Sequence, residues 1–305
     1  MSDVRPLNDK RDFQDYLAEE VRKVRGISRP VKAGLLRRML VGSARTRNLH
    51  PNPEDEFCDP GIGPNYSIIS RYERELATYH HNRSAALGQP MPGIARLQVQ
   101  RISTGGYQIL NGHHRWAAAV RISLPRLRVQ VLDITQERDI LKMLARSRHD
   151  RRATLDLDEV ILRPVGDSGF ERPLSFFPRR IFKEQIRLGI PSLFQSLAKQ
   201  GWDVWVYTAS YYSTDYLRRL FRLWGCPVAG VITATGRKIQ GAEEAKRTLS
   251  KMFEEKYRCT VHIDNETVLQ TFARSEAFRE EPIDTSREPW APAVLSALRR
   301  LPEEE

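Results

Sequence analysis

Cysteine is scarce. Three residues in 305, Cys58, Cys226 and Cys259, are too few and too scattered for a disulfide framework or a paired-cysteine metal site. No stretch approaches the roughly 18–20 consecutive apolar residues of a membrane helix. The opening segment MSDVRPLNDKRDFQDY mixes acids with bases around no apolar centre, so neither a secretory signal nor a transit peptide is expected. A reducing cytoplasm is the expected setting, with no membrane partner. Internal repeats and low-complexity tracts are lacking too, and no Lys/Arg run reaches the roughly 5–8 residues of a basic patch motif. What is there, 40% hydrophobic and 29% charged residues, excludes wholesale disorder and collagen-like architecture.

Length is a prior for two domains. The net charge of +11 is uneven: residues 1–150 hold 25 Lys/Arg against 16 Asp/Glu, a balance of +9, and the remainder 24 against 22, a balance of +2. The basic half would attract a phosphate-rich partner or a nucleotide, and nucleic acid is an alternative.

Helical spacing runs through DKRDFQDYLAEEVRKVR, residues 9–25, and again through VKAGLLRRMLVGSA, giving a basic helical arm over residues 1–45. Prolines and glycines make 50–65 irregular. A helix from Tyr66, two strands (ARLQVQRI and YQILN) around a Thr-Gly-Gly turn, an Ala-rich helix and the strand PRLRVQVLD follow. These form an α+β domain over 46–135. The segment QERDILKMLARSRH reads as a linker helix, 136–150. From 151 to 305 apolar strands alternate with helices, which predicts an α/β unit with a Rossmann-like parallel sheet covered on both faces.

Parallel sheets carry their chemistry beyond the carboxyl ends of the strands. There the chain places Asp156 and Asp158, then Thr208, then Asp264. Two carboxylates one residue apart on an extended strand end point the same way and can share a site, one ionised and one protonated.

This order resembles the haloacid dehalogenase superfamily of phosphohydrolases over residues 151 to about 270. The first motif is Asp156-Leu157-Asp158-Glu159-Val160, the second Val206-Tyr207-Thr208-Ala209-Ser210, and the fourth His262-Ile263-Asp264-Asn265-Glu266. The resemblance implies Asp156 as nucleophile, Asp158 as general acid and base, and Thr208 as donor to the phosphoryl oxygens. It implies Mg²⁺ held by Asp156, Asp264 and the backbone carbonyl of Asp158. The second motif looks most like the branch related to the RNA polymerase carboxy-terminal-domain phosphatases. For the motif lysine the family arrangement favours Lys246, with Lys238 as the alternative. Between Asp156 and Thr208 there is no room for a cap domain, which implies an open site, used on a macromolecular phosphate or covered by the N-terminal domain; the expected partner is a phosphorylated small molecule or macromolecule.

In the first half, QILNGHHRWAAA sets Gly112-His113-His114-Arg115 between a strand and a helix. A glycine opens the backbone to a ligand, and a helix N-terminus with an arginine makes an anion site. The segment resembles the ParB/sulfiredoxin fold over residues 46–135, whose members use this turn for nucleotide phosphates. ATP, ADP or CTP bound by Gly112, His113, His114 and Arg115 is what the resemblance implies. His113 stands where sulfiredoxin has cysteine and partition proteins have glutamate, so neither sulfinic acid reduction nor chromosome partitioning is expected. By likeness to the free-serine kinases, one of Glu54, Asp55 and Glu56 serves as a base, with Glu56 preferred. His80 and His81 read as a surface helix end.

The leading expectation is a Mg²⁺-dependent phosphohydrolase or phosphotransferase behind a nucleotide- or phosphate-binding domain. The alternatives are a nucleotide-dependent, serine-type kinase joined to a phosphatase, and a ParB-like nucleic-acid-binding protein.

Overall fold

The structure, a computed structural model, describes residues 10–85, 95–162, 169–236, 242–275 and 277–302, with backbone alone for 79–85 and 242–246. The chain divides between Asp133 and Ile134 into two units, each mixed α/β with its own mixed sheet.

In the first unit, α1 (Lys10–Val24) and the short α2 (Leu35–Leu40) precede β1 (Ser43–Arg45) and β2 (Leu49–His50). Then come α3 (Tyr66–Ala85), β3 (Leu97–Arg101), β4 (Tyr107–Asn111), α4 (His113–Arg121) and β5 (Arg126–Val131). The strands lie in the order β1-β5-β3-β4-β2. The expected hairpin is present, β3 antiparallel to β4, while β3 with β5 and β2 with β4 run parallel. The basic helical arm expected over residues 1–45 is, from Lys10 on, part of this unit: α1 places Phe13, Leu17, Val21 and Val24 on one buried stripe, and the Phe13 ring lies 6.2 Å from Trp116; residues 1–9 lie outside the described residues. The second expected helix shrinks to six residues between Gly34 and Gly42, because Ser43–Arg45 pairs with β5 instead. Ala117, Ala118 and Ala119, all fully buried, let α4 pack closely on α3.

The second unit opens with α5 (Glu137–Leu144). The stretch read as a linker, 136–150, belongs to this unit, since Ile140 and Met143 are buried with Trp205, Ile232, Phe253 and Tyr257. There follow β6 (Arg151–Asp156), α6 (Phe176–Ile181), α7 (Ile190–Lys199), β7 (Trp202–Tyr207), α8 (Thr214–Leu223) and β8 (Gly230–Ile232). The unit ends with α9 (Ala242–Lys256), β9 (Cys259–Ile263), β10 (Thr267–Phe272), β11 (Phe278–Pro282) and α10 (Trp290–Arg300). Strand order is β11-β10-β9-β6-β7-β8. β9, β6, β7 and β8 are parallel, as the alternation of strands and helices predicts; β10 and β11 add an antiparallel edge that it does not.

Side-chain alternation splits the strands between two faces. Ala153, Leu155, Val204, Val206, Val261 and Ile263 pack with α7, α8 and α10. The opposite face carries Trp205 and Ile232 under α5 and α9. Gly230 sits against the Trp205 ring, where an added Cβ would stand 2.2 Å away. Among the described residues no helix is long and apolar enough to cross a membrane, and all three cysteines are free thiols.

Candidate active site

Asp156 ends β6, and the chain turns at once into a single π-helical turn over Leu157–Ile161, closed by Leu162 N donating to the Leu157 carbonyl at 2.8 Å. Asp156 caps that turn: its Oδ1 accepts from Glu159 N at 2.8 Å. Leu157, Val160 and Ile161 are buried, which pins the turn and leaves Asp156 and Asp158 half-buried at the sheet edge.

Register brings the acids together. Leu155 pairs with Ile263, so Asp156 and Asp264 are the next residues on adjacent parallel strands, whose spacing is about 4.8 Å. Asp156 also pairs with Tyr207, so Thr208 stands one step beyond it. Thr208 is fully buried; its hydroxyl donates to Asp158 Oδ2 at 2.5 Å and accepts from Ser210 N at 2.9 Å. The hydroxyl read from the sequence as a phosphoryl donor is therefore engaged with the second aspartate. Asp264 is exposed; its backbone N donates to the Thr267 carbonyl and its Oδ1 accepts from Asn265 N at 2.8 Å. Lys246 has its backbone in the second turn of α9, and Lys238 lies outside the described residues.

Beneath Asp264 is an arrangement that the sequence motifs do not mark. Arg187, 2% exposed, donates from a terminal nitrogen to Asn265 Oδ1 at 2.8 Å, and its guanidinium lies 3.9 Å from the Trp290 ring centre. Burial pulls this guanidinium down to about 10. Trp290 Nε1 donates to the Asn265 carbonyl at 2.9 Å. The loop after β9 is thus held from both sides.

Asp156, Glu159 and Asp264 line one end of a cleft of about 1010 Å³. Its floor is the face of β6 and β9 bearing Arg152, Thr154, Thr260 and His262, and Phe253 and Tyr257 of α9 form a wall. Thr154 Oγ1 holds His262 Nδ1 at 2.7 Å. Burial, and then the neighbouring Arg152, push the His262 imidazole below its ordinary value.

In the first unit Gly112 takes a left-handed conformation, φ 103°, and caps α4 against Leu97. The two histidines have structural partners. His113 is buried, and its Nε2 accepts from Asn52 N at 3.1 Å; Phe57 stacks on its ring at 5.5 Å. His114 Nε2 accepts from Asn65 N at 3.1 Å. Burial lowers both rings, His113 to about 4. Arg115 donates to the Ala95 carbonyl at 2.6 Å and stacks over Tyr72. Of the three acids, Glu56 is exposed, whereas Asp55 Oδ2 comes within 3.6 Å of His113 Nδ1. The side chains of His80 and His81 lie outside the described residues.

Compared with known proteins, the chain matches no family model, no curated protein and no solved structure.

Proposed function

We propose that the second unit is a Mg²⁺-dependent phosphohydrolase of the haloacid dehalogenase type. The observation that carries this reading is the convergence of Asp156, Asp158, Thr208 and Asp264 from the carboxyl ends of three adjacent parallel strands. The donor set fits the ion: carboxylate oxygens and the Asp158 carbonyl are hard ligands. Among the described residues no group of three His, Cys, Asp or Glu that could hold a metal ion is present. Asp156, Asp264 and that carbonyl would hold Mg²⁺, which when bound offsets the charge on the phosphoryl oxygens.

In this reading an Asp156 oxygen attacks phosphorus while the bond from phosphorus to the ester oxygen breaks. Asp158, protonated, gives its proton to the departing oxygen. It then takes a proton from the water that cleaves the aspartyl phosphate, which frees phosphate and restores Asp156. Thr208 keeps the Asp158 carboxyl aimed. In the first unit the reading places a phosphate or nucleotide, ATP, ADP or CTP, at the first turn of α4 beside Arg115. It is supported by the left-handed Gly112, which frees the backbone entry to that turn.

The test is phosphate release from a generic aryl phosphate by the full chain with Mg²⁺. Asp156→Asn keeps the acceptor for Glu159 N, so its melting temperature should stay within a few degrees while turnover is lost. Turnover equal to the wild type would remove the assignment.

A further inference from the structure

The cleft continues from the acids back along the sheet, and its two ends are opposite in charge. Asp156, Glu159 and Asp264 line one end. Arg152 lies four residues back on β6, about 13 Å at roughly 3.3 Å per residue. Thr260 of β9 pairs with Arg152, and Thr271 of β10 with Thr260, so one row crosses the sheet at that depth. Arg274, in the turn just after β10, lines this same far end and is exposed.

The Arg152 guanidinium is positioned by uncharged groups. It donates to Thr260 Oγ1 at 3.2 Å and to the Tyr207 hydroxyl at 3.3 Å, and it lies over the rings of Phe253 and Tyr257. Among the described residues no carboxylate is within ion-pair distance of Arg152 or Arg274. Glu254, also lining the cleft, acts on Arg152 at longer range. Burial draws the guanidinium below its ordinary value, so an arriving anion would relieve that cost. The volume of about 1010 Å³ far exceeds what a phosphate fills and is at the upper end of ordinary ligand clefts.

We propose that the cleft is a two-ended binding site for an elongated phosphomonoester. The ester phosphate sits at Asp156, and a second oxyanion at the far end, phosphate or carboxylate, is received by Arg152 and Arg274. This rests on the hydrolase reading for its reacting end and adds the substrate class: an ester with anionic groups about 13 Å apart, a span set by the strand rise.

The experiment uses the full chain with Mg²⁺ and four probes. These are octyl phosphate, octanediol bisphosphate, propanediol bisphosphate and 8-phosphonooxyoctanoate. Octanediol bisphosphate should show kcat/KM about tenfold above octyl phosphate, the size expected for a charge-assisted pair, with the gain in KM. Propanediol bisphosphate is too short and should show no gain; the octanoate separates a carboxylate from a phosphate as the preferred far group. Arg152→Gln should bring the ratio toward one. Arg274→Gln, on an exposed turn with no fold to lose, should reduce it as well. Calorimetric binding to Asp156→Asn gives a readout independent of turnover. Equal kcat/KM for octyl phosphate and both long probes would overturn the two-ended site and leave the hydrolase. Lack of turnover with Arg152-dependent binding of the bisphosphate would overturn the hydrolase and leave the site.

Discussion

Thr208 gives its hydroxyl hydrogen to Asp158 Oδ2 across 2.5 Å while its oxygen accepts from Ser210 N. One buried hydroxyl thus aims the second aspartate and ties the strand-end loop beneath it. Thr208→Val removes both bonds at nearly constant volume and should lower kcat about 10- to 100-fold, since a positioned acid and base is worth about 10²–10⁴. It should also cost about 1 kcal/mol of stability, the net worth of an ordinary hydrogen bond, because Ser210 is exposed and water can take up its N–H. Thr208→Ser retains the hydroxyl and should restore most activity. Steady-state kinetics check the role: the valine variant should lose kcat at nearly unchanged KM, and the serine variant should recover it.

Arg187 reaches the proposed Mg²⁺ site through Asn265. Arg187→Met keeps length but loses the contacts to Asn265 and Trp290, and should destabilise the chain by about 2–3 kcal/mol, from a charged hydrogen bond and a desolvated cation–π contact. Because Asn265 follows Asp264 directly, the Mg²⁺ concentration giving half-maximal activity should rise several-fold. Arg187→Lys retains charge without the planar fork and should rescue neither property. Denaturant unfolding and Mg²⁺ titration of the same variants check both halves.

The parallel part of the second sheet was legible because its strands alternate with helices and carry apolar residues, Ala153, Leu155, Val204, Val206, Val261 and Ile263, just ahead of the polar strand ends. The antiparallel edge was not. In β10 the inward position Gln270, 3% exposed, is polar, its Nε2 donating to the Pro302 carbonyl, so Thr267–Phe272 lacks a strand's apolar alternation. Amphipathic spacing found α1 and α5 but says nothing of which core receives the stripe, so both were read as lying outside the domains. Asp156, Asp158, Thr208 and Asp264 stand out as candidates in the sequence because strand ends mark themselves. Arg187 and Arg152 do not, since each acquires its place through contacts 50 or more residues away.

His113 gives the first unit a defined response to acid. Burial holds its ring at about 4 in the fold, against about 6.5 in an unfolded chain. Above pH 6.5 both states are neutral and the ring is indifferent to pH. Between 6.5 and 4 the unfolded chain takes a proton that the native ring refuses, so stability falls by about 1.4 kcal/mol per unit. Below 4 both are protonated and the loss levels off. His113→Gln keeps an acceptor for Asn52 N without the titration. It should be less stable than the wild type at pH 7.5, and the gap should narrow or reverse by pH 4.5. Equilibrium unfolding at the two values measures it; a gap independent of pH would contradict a neutral buried imidazole.

In the proposed hydrolase, a change at Asp264 separates the contribution of Mg²⁺ from that of the nucleophile. Its Oδ1 accepts from Asn265 N, a bond that an asparagine oxygen reproduces, so Asp264→Asn should leave the loop and the melting temperature nearly unchanged. The change removes one of two carboxylate charges offered to Mg²⁺, and hard divalent cations depend on that charge count. The variant should therefore need about 10- to 100-fold more Mg²⁺ for half-maximal turnover and approach wild-type kcat at saturation, whereas Asp156→Asn should stay inactive at any concentration. Chelation should abolish wild-type turnover, and Mg²⁺ should restore it. If Asp264→Asn titrates with Mg²⁺ as the wild type does, the β9 strand end is not a metal ligand, and the cleft's acidic end holds phosphate by other means.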